Sequence, residues 1–143
     1  MTVIFSKKCE IGLQAVLFLS TEEKGKLFNA AEIAHRVKQP KEFVSKVLQL
    51  LTAYGCVGSK KGKNGGFFLA RQPSKIKLIN IVEAIDGLYM FNNCVLGFPD
   101  CSKEKPCPVH DKWGILRDEA FQMLSEETLE DLKEKSHFKI NSL

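Results

Sequence analysis

Apolar residues in the first half of the chain recur at helical spacing, in three short stretches divided by polar breaks. From Ser6 to Leu19, the positions of Ile11, Leu13, Ala15, Val16, Leu17 and Leu19 predict a largely buried helix. Thr21 to Lys26 reads as a turn. Asn29, followed by Glu32 three residues later, has the form of a helix start with Asn as N-cap, and Ala30–Val37 becomes a second, short helix. Gln39-Pro40 stops it, and Pro40 can open the next helix because its missing N–H is not needed there. The third helix, Lys41–Tyr54, places Phe43, Val47, Leu50 and Leu51 on one face and Ser45, Lys46 and Gln49 on another. Gly55 ends it at the left-handed C-terminal position. Two short helices joined by a tight turn, the second polar on its outer side, predict a helix-turn-helix.

The periodicity changes after Gly55. Cys56–Ser59, the run Lys60-Lys-Gly-Lys-Asn-Gly-Gly66 and Phe67–Ala70 predict a β-hairpin, with Asn64-Gly65-Gly66 suited to positive φ and to close backbone approach. A lysine-rich hairpin beside a helix-turn-helix makes a winged helix. Further on, Trp113, Leu116, Ala120, Met123 and Leu124 share helical spacing over 111–124. Ser125 with Glu126 and Glu127 predicts the start of another short helix. The fold class expected is therefore mostly α with a small β-hairpin.

Charge sharpens this picture. The net charge of this 143-residue chain is only +4, yet no acidic residue occurs from Phe43 to Val82, a span holding Lys46, Lys60, Lys61, Lys63, Arg71, Lys75 and Lys77. From Asp111 onward, eight acids outnumber five Lys and Arg. A basic segment of that length attracts a polyanion, and phosphate contacts supply most sequence-independent affinity for nucleic acid. Double-stranded DNA is the expected partner. Lys41, Ser45, Lys46 and Gln49 of the third helix would face the major groove, with Lys60, Lys61, Lys63, Asn64, Gly65 and Gly66 of the wing on phosphate or minor groove.

The chemistry lies elsewhere, in Phe91–His110, where Cys94, Cys101, Cys107 and His110 read Cys-x6-Cys-x5-Cys-x2-His. Gly97, Pro99, Pro106 and Pro108 disfavour helix and strand there, leaving a loop that can wrap around a ligand. Soft thiolates select iron–sulfur clusters, zinc or copper(I). Structural zinc usually takes ligands in pairs two to four residues apart, so these gaps suit it poorly. A metal-free thiol switch stands as an alternative. A Cys–His nucleophile would need an orienting acid and an oxyanion motif, neither of which is present, so an enzyme is not expected. A small electron carrier would not need a basic wing. Cys9 and Cys56 sit in apolar surroundings and are expected in the core. An odd total of five cysteines argues against a disulfide framework. Lys7-Lys8 ahead of Ile11–Leu19 superficially resembles a signal peptide, but Glu10 and Gln14 interrupt the run and no small-residue cleavage site follows. No other apolar run approaches a membrane span, so the expected compartment is reducing cytoplasm.

Four ordered stretches carry a family resemblance: Ser6–Ala15, the wing Gly55–Arg71, Ile81–Gly87 and the three-cysteine loop. Together, from about Phe5 to Leu132, they resemble bacterial winged-helix regulators of the Rrf-two family, which includes IscR and NsrR. The resemblance implies a homodimeric transcription regulator whose DNA affinity depends on an iron–sulfur cluster, [2Fe-2S] in preference to [4Fe-4S]. It also implies a division into a winged domain (1–90), a cluster loop (91–110) and a dimerisation helix with tail (111–143). The first cysteine gap is six residues where the family more often has five, which leaves the cluster type open. Three thiolates leave one ligand to find. Imidazole can replace thiolate at one iron, and His110 lies three residues past Cys107, a spacing shared with IscR-like members. Glu10 is the rival, at the point in the first helix where related sensors place an acid donated by the partner subunit, and Cys9 beside it is a third choice.

Overall fold

The computed structural model describes residues 4–135. Six helices occur in that span: α1 (Lys7–Thr21), α2 (Ala30–Val37), α3 (Lys41–Tyr54), α4 (Leu78–Ile85), α5 (His110–Glu126) and α6 (Leu129–Lys135). A two-stranded antiparallel hairpin, β1 (Val57–Lys60) and β2 (Gly66–Leu69), follows α3. Short 3-10 turns at Pro73–Lys75 and Tyr89–Phe91 bracket α4.

Caps set the helix boundaries. In α1 the Ser6 hydroxyl accepts from the Cys9 N–H at 3.1 Å, while the Ser6 N–H donates to Asp86 at the end of α4 at 2.9 Å. At α2 the expected cap closes into a reciprocal pair: Glu32 N–H reaches Asn29 Oδ1 at 2.8 Å and Asn29 N–H reaches Glu32 Oε2 at 3.0 Å. Lys38, left-handed at φ 57°, makes the sharp turn into α3, whose own end is Gly55 at φ 92°. The last helix starts differently from the sequence expectation. Ser125 lies inside α5, and the cap of α6 is Thr128, paired with Asp131 by two 3.1 Å bonds. Those bonds hold the Asp131 carboxyl below its ordinary value.

α1 is the central post. Ile11, Ala15 and Val16 meet Ile33 of α2, Leu48 and Leu51 of α3, Ile81 of α4 and Leu129 of α6 in one core. The inner stripe of α3 is Val44, Val47, Leu48 and Leu51, whereas Leu50 is 37% exposed and Phe43 only half-buried. Two overlapping apolar stripes run along this helix, and the one that packs has the i, i+3, i+4, i+7 spacing. Ser45, Lys46 and Gln49 stay outside that stripe either way. Gly12 lets α4 come close, since a Cβ there would overlap the Ile85 side chain.

The wing is stitched to the body by a third strand-like contact. Phe28 N–H donates to the Phe67 carbonyl at 3.1 Å, and Phe67 N–H to the Phe28 carbonyl at 2.7 Å. A Cβ on Gly66 would lie 2.7 Å from the Phe28 carbonyl oxygen, so this seam requires glycine. A second seam joins Leu78 N–H to the Glu127 carbonyl at 3.0 Å and Leu129 N–H to the Ile76 carbonyl at 2.9 Å. Between α4 and α5, Cys9, Ile79, Val82 and Leu124 form a smaller core that includes Phe91 at its edge.

Removing a side-chain cap typically destabilises by about 1 kcal/mol. Asn29→Ala should therefore lower the free energy of urea unfolding by about that amount with an unchanged m-value. An unchanged midpoint would show that the cap contributes nothing to α2.

Candidate metal centre and nucleic-acid interface

The loop between α4 and α5 folds back on itself through a few backbone bonds. Gly97 at φ 83° donates its N–H to the Cys94 carbonyl at 3.0 Å, making a tight turn within the six-residue gap. Ser102 and Lys105 close a second turn at 3.2 Å. His110 N–H then donates to the Cys107 carbonyl at 3.1 Å, which places the imidazole at the first residue of α5.

The result gathers the predicted ligands. The sulfur atoms of Cys94, Cys101 and Cys107 all lie within 4.8 Å of one another. Cys94 Sγ is 3.5 Å from Cys107 Sγ, and Cys101 Sγ is 3.1 Å from His110 Nδ1. All are free thiols, half-buried around a cavity of about 60 Å³ whose walls also include Asn92, Trp113 and Arg117. Burial pushes the Cys94 thiol up, but the Phe98 and Leu96 N–H groups and the neighbouring thiols outweigh it and hold it down at about 7. Cys107 moves the other way, raised by burial and by its sulfur neighbours against the Val109 N–H. A readily ionised thiol beside two others and an imidazole is a donor set for a soft or borderline metal.

The two rival ligands, Glu10 and Cys9, fall outside that group, as does Cys56, which the sequence already placed in the core. Glu10, on the first turn of α1, pairs with Lys7 at 3.7 Å and is not gathered with the thiols of its own chain. Cys9 is fully buried and pushed up to about 12 by burial, then by the Asp86 and Glu10 charges. Cys56 is also fully buried and raised. Both belong to the core. Conversely, Trp113, grouped by spacing with the apolar stripe of α5, turns to the thiol cavity, where its indole N–H donates to the Asn93 carbonyl at 2.9 Å. Arg117 donates to the same carbonyl at 3.3 Å. The signal for both was the i, i+3, i+7 spacing from His110, which puts the three on one face.

The predicted DNA contacts lie on α3 and the hairpin. Lys41, Lys46 and Gln49 are exposed along α3, with Ser45 half-buried beside them. Lys60, Lys61, Lys63 and Asn64 are exposed on the wing, while Gly65 and Gly66 are half-buried, Gly66 within β2 at the Phe28 seam. The connection between α2 and α3 adds basic groups that periodicity did not single out. Arg36 stands over the Phe18 ring at 5.4 Å, and with His35, Lys38 and Gln39 it lines a surface hollow.

A winged helix-turn-helix carrying a three-cysteine pocket at the start of a later helix is the frame of a DNA-binding regulator. The family model described as "Iron-dependent Transcriptional regulator", Rrf2, matches residues 5–135. The chain belongs to the Rrf2 family. A putative HTH-type transcriptional regulator of Aquifex aeolicus is 35% identical over 91% of each chain. Among solved structures, the global cysteine regulator CymR of B. subtilis superposes with a TM-score of 0.78 at 23% identity, covering 94% of this chain and 99% of that one. T. potens IscR gives 0.72 at 25% identity, covering 95% and 88%. The protein is thus a transcriptional regulator, not an enzyme, and its cysteine group is one that could bind a metal. No helix among the described residues is long and apolar enough to cross a membrane.

The thiolate is the reactive form, so a lowered thiol pKa means faster alkylation at lower pH. In reduced, metal-free protein, iodoacetamide should modify Cys94 with a half-maximal rate near pH 7, ahead of Cys107. Peptide mass spectrometry over a pH series measures the order. Cys107 reacting first at neutral pH would contradict the hydrogen-bond pattern around Cys94.

Proposed function

We propose that this regulator controls transcription through an iron–sulfur cluster held by Cys94, Cys101 and Cys107. Convergence of three free thiols and an imidazole in a chain of the Rrf2 family carries this reading. His110 is the fourth ligand in preference to Glu10, because it already stands against Cys101 in the same chain. Glu10 would have to come from a partner subunit. A [2Fe-2S] cluster suits mixed thiolate–imidazole ligation better than [4Fe-4S]. When bound, such a cluster supplies a centre that changes charge on reduction and is open to oxidants and nitric oxide.

The rest is done by the chain's own residues. Phe91, at the start of the loop, packs edge-on against Phe121 with ring centres 5.2 Å apart and against the small core under α4. α4 in turn meets the end of α3, where the Tyr54 hydroxyl donates to the Glu83 carboxylate, a bond that raises the tyrosine pKa to about 12. A change in the loop therefore reaches the helix that reads DNA through packed side chains. Lys41, Ser45, Lys46 and Gln49 face the major groove, and Lys60, Lys61, Lys63, Asn64, Gly65 and Gly66 form the phosphate-facing wing. Ile115, Leu116 and Met123, each more than half exposed on α5, form the apolar strip for a homodimer bound to a partly palindromic operator in the cytoplasm. This division assigns 1–90 to DNA, 91–110 to the cluster and 111–143 to dimerisation and the tail.

A second reading, a metal-free thiol switch, draws support from the 3.5 Å separation of the Cys94 and Cys107 sulfurs, short enough for side-chain rotation to bring them to bonding distance. Anaerobic purification separates the two. The cluster reading expects brown protein with iron and acid-labile sulfide, lost in Cys94→Ala, Cys101→Ala and Cys107→Ala. Stoichiometric zinc, or no metal after reconstitution, would reject it. His110→Ala should impair assembly while Glu10→Ala leaves it near wild type, and the reverse result would move the fourth ligand to the partner subunit.

The wing assignment has its own test. Each phosphate contact contributes roughly 0.9 to the slope of log affinity against log salt. Replacing Lys60, Lys61 and Lys63 together by Ala should weaken binding to all duplexes and flatten that slope by up to roughly 2.7. Gln49→Ala should instead change preference among sequences. An unchanged slope in the triple variant would remove the wing from the interface.

A further inference from the structure

The inner face of α5 brings a permanent positive charge to the thiols. Arg117 lies two turns beyond His110 and one beyond Trp113, and all three line the cavity that holds Cys94, Cys101 and Cys107. Its Nη1 donates to the Asn93 carbonyl at 3.3 Å, an acceptor that Trp113 Nε1 already engages at 2.9 Å. Its Nε, by contrast, is buried and finds no acceptor among the described residues. No carboxylate among the described residues lies within ion-pair distance of the guanidinium either.

A guanidinium cannot shed its proton to escape this situation, and a buried N–H donor without an acceptor is strongly unfavourable. The groups lining the cavity that become anionic when they bind a metal are the three sulfurs. Three thiolates around a divalent or cluster-bound metal carry excess negative charge, which a nearby cation offsets. A donor that bonds to a ligating sulfur also fixes that sulfur's direction.

We infer that Arg117 is a positioning residue of the cysteine centre: Asn93 anchors one arm of its guanidinium, and its Nε–H and charge serve metal-bound sulfur. The inference rests on the reading of the loop as a metal site and adds the residue that sets the site's charge. The rival is that Arg117 only tethers Asn93. Trp113 already performs that task over a shorter distance, and the tether leaves the buried Nε without a role.

The test compares wild type, Arg117→Gln and Arg117→Lys as full-length proteins. Lysine restores the charge but not the planar fork that reaches Asn93, so it separates charge from tether. After anaerobic reconstitution, iron and sulfide contents should be alike, while removing a positive charge makes the centre harder to reduce. Dye-coupled titration should show Arg117→Gln shifted about tenfold toward the oxidised form at a fixed potential, or about 59 mV for a one-electron couple. Arg117→Lys should recover most of that shift. Cobalt(II) is the second probe and does not depend on cluster assembly. Its thiolate absorption should report affinity about tenfold weaker in Arg117→Gln and largely restored in Arg117→Lys.

Thermal unfolding of the metal-free proteins shows whether each variant folds. Equal potentials and equal cobalt affinities in wild type and Arg117→Gln would overturn the inference. So would a lysine variant as impaired as the glutamine variant, since that pattern belongs to a tether. If wild type binds cobalt but no iron and sulfide, the cluster reading fails, and the cobalt comparison alone decides the role of Arg117.

Discussion

Helix α4 has three neighbours to satisfy with only eight residues, and the molecule is arranged around how it does so. Ile81 points into the main core with α1 and α3, while Ile79 and Val82 point into the smaller core under α5. Full burial of an aliphatic side chain is worth about 1.5–3 kcal/mol, so these residues bind the domain body to the loop-bearing half with energy comparable to much of a small domain's net stability. Gly12 is the constraint that permits it. A side chain there would force the Ile85 Cδ1 methyl out of its place and crowd Val47. The polar ends of α4 are used as well: Asp86 caps back to Ser6 of α1, and Glu83 accepts from Tyr54 of α3. The thiol loop and α3 are thus connected through a short helix with little freedom to absorb a displacement.

Local chemistry was legible in the sequence wherever one residue decides the backbone. Asn29 with Glu32, Gly55 after Tyr54 and the glycines before Phe67 each name a boundary without help from tertiary structure, and the boundaries of α2 and α3 follow from them. Faces were harder to assign. On α3 the spacing admits two apolar stripes, and only the arrival of α1 and α4 selects Val44 and Leu48 over Phe43 and Leu50. Trp113 illustrates the same ambiguity on α5, where an aromatic residue at helical spacing fits a dimer strip and a cavity wall equally well.

The cysteine group was legible because prolines and Gly97 disfavour regular structure there, leaving a loop on which three soft donors can converge. Its surroundings were not, because they depend on which face of α5 the loop folds against. Arg117 and Asn93 are 24 positions apart, and no local pattern links a half-buried arginine to a carbonyl at that distance. The Phe28 contact with the wing is similar: a single pair of backbone bonds has no periodicity to betray it.

That second seam, between Ile76–Leu78 and Glu127–Leu129, gives α5 an unequal mounting. Its C-terminal end is fastened by backbone hydrogen bonds and by the buried Leu124 and Leu129, whereas its N-terminal end is held through the side chains of the thiol loop, Trp113 and Arg117. A 17-residue helix is about 25 Å long. Such an element behaves as a beam built in at one end and pinned at the other. Under the proposed function, an occupant of the thiol pocket would brace the pinned end, where a slight rotation at Glu127 would amount to a much larger travel at His110.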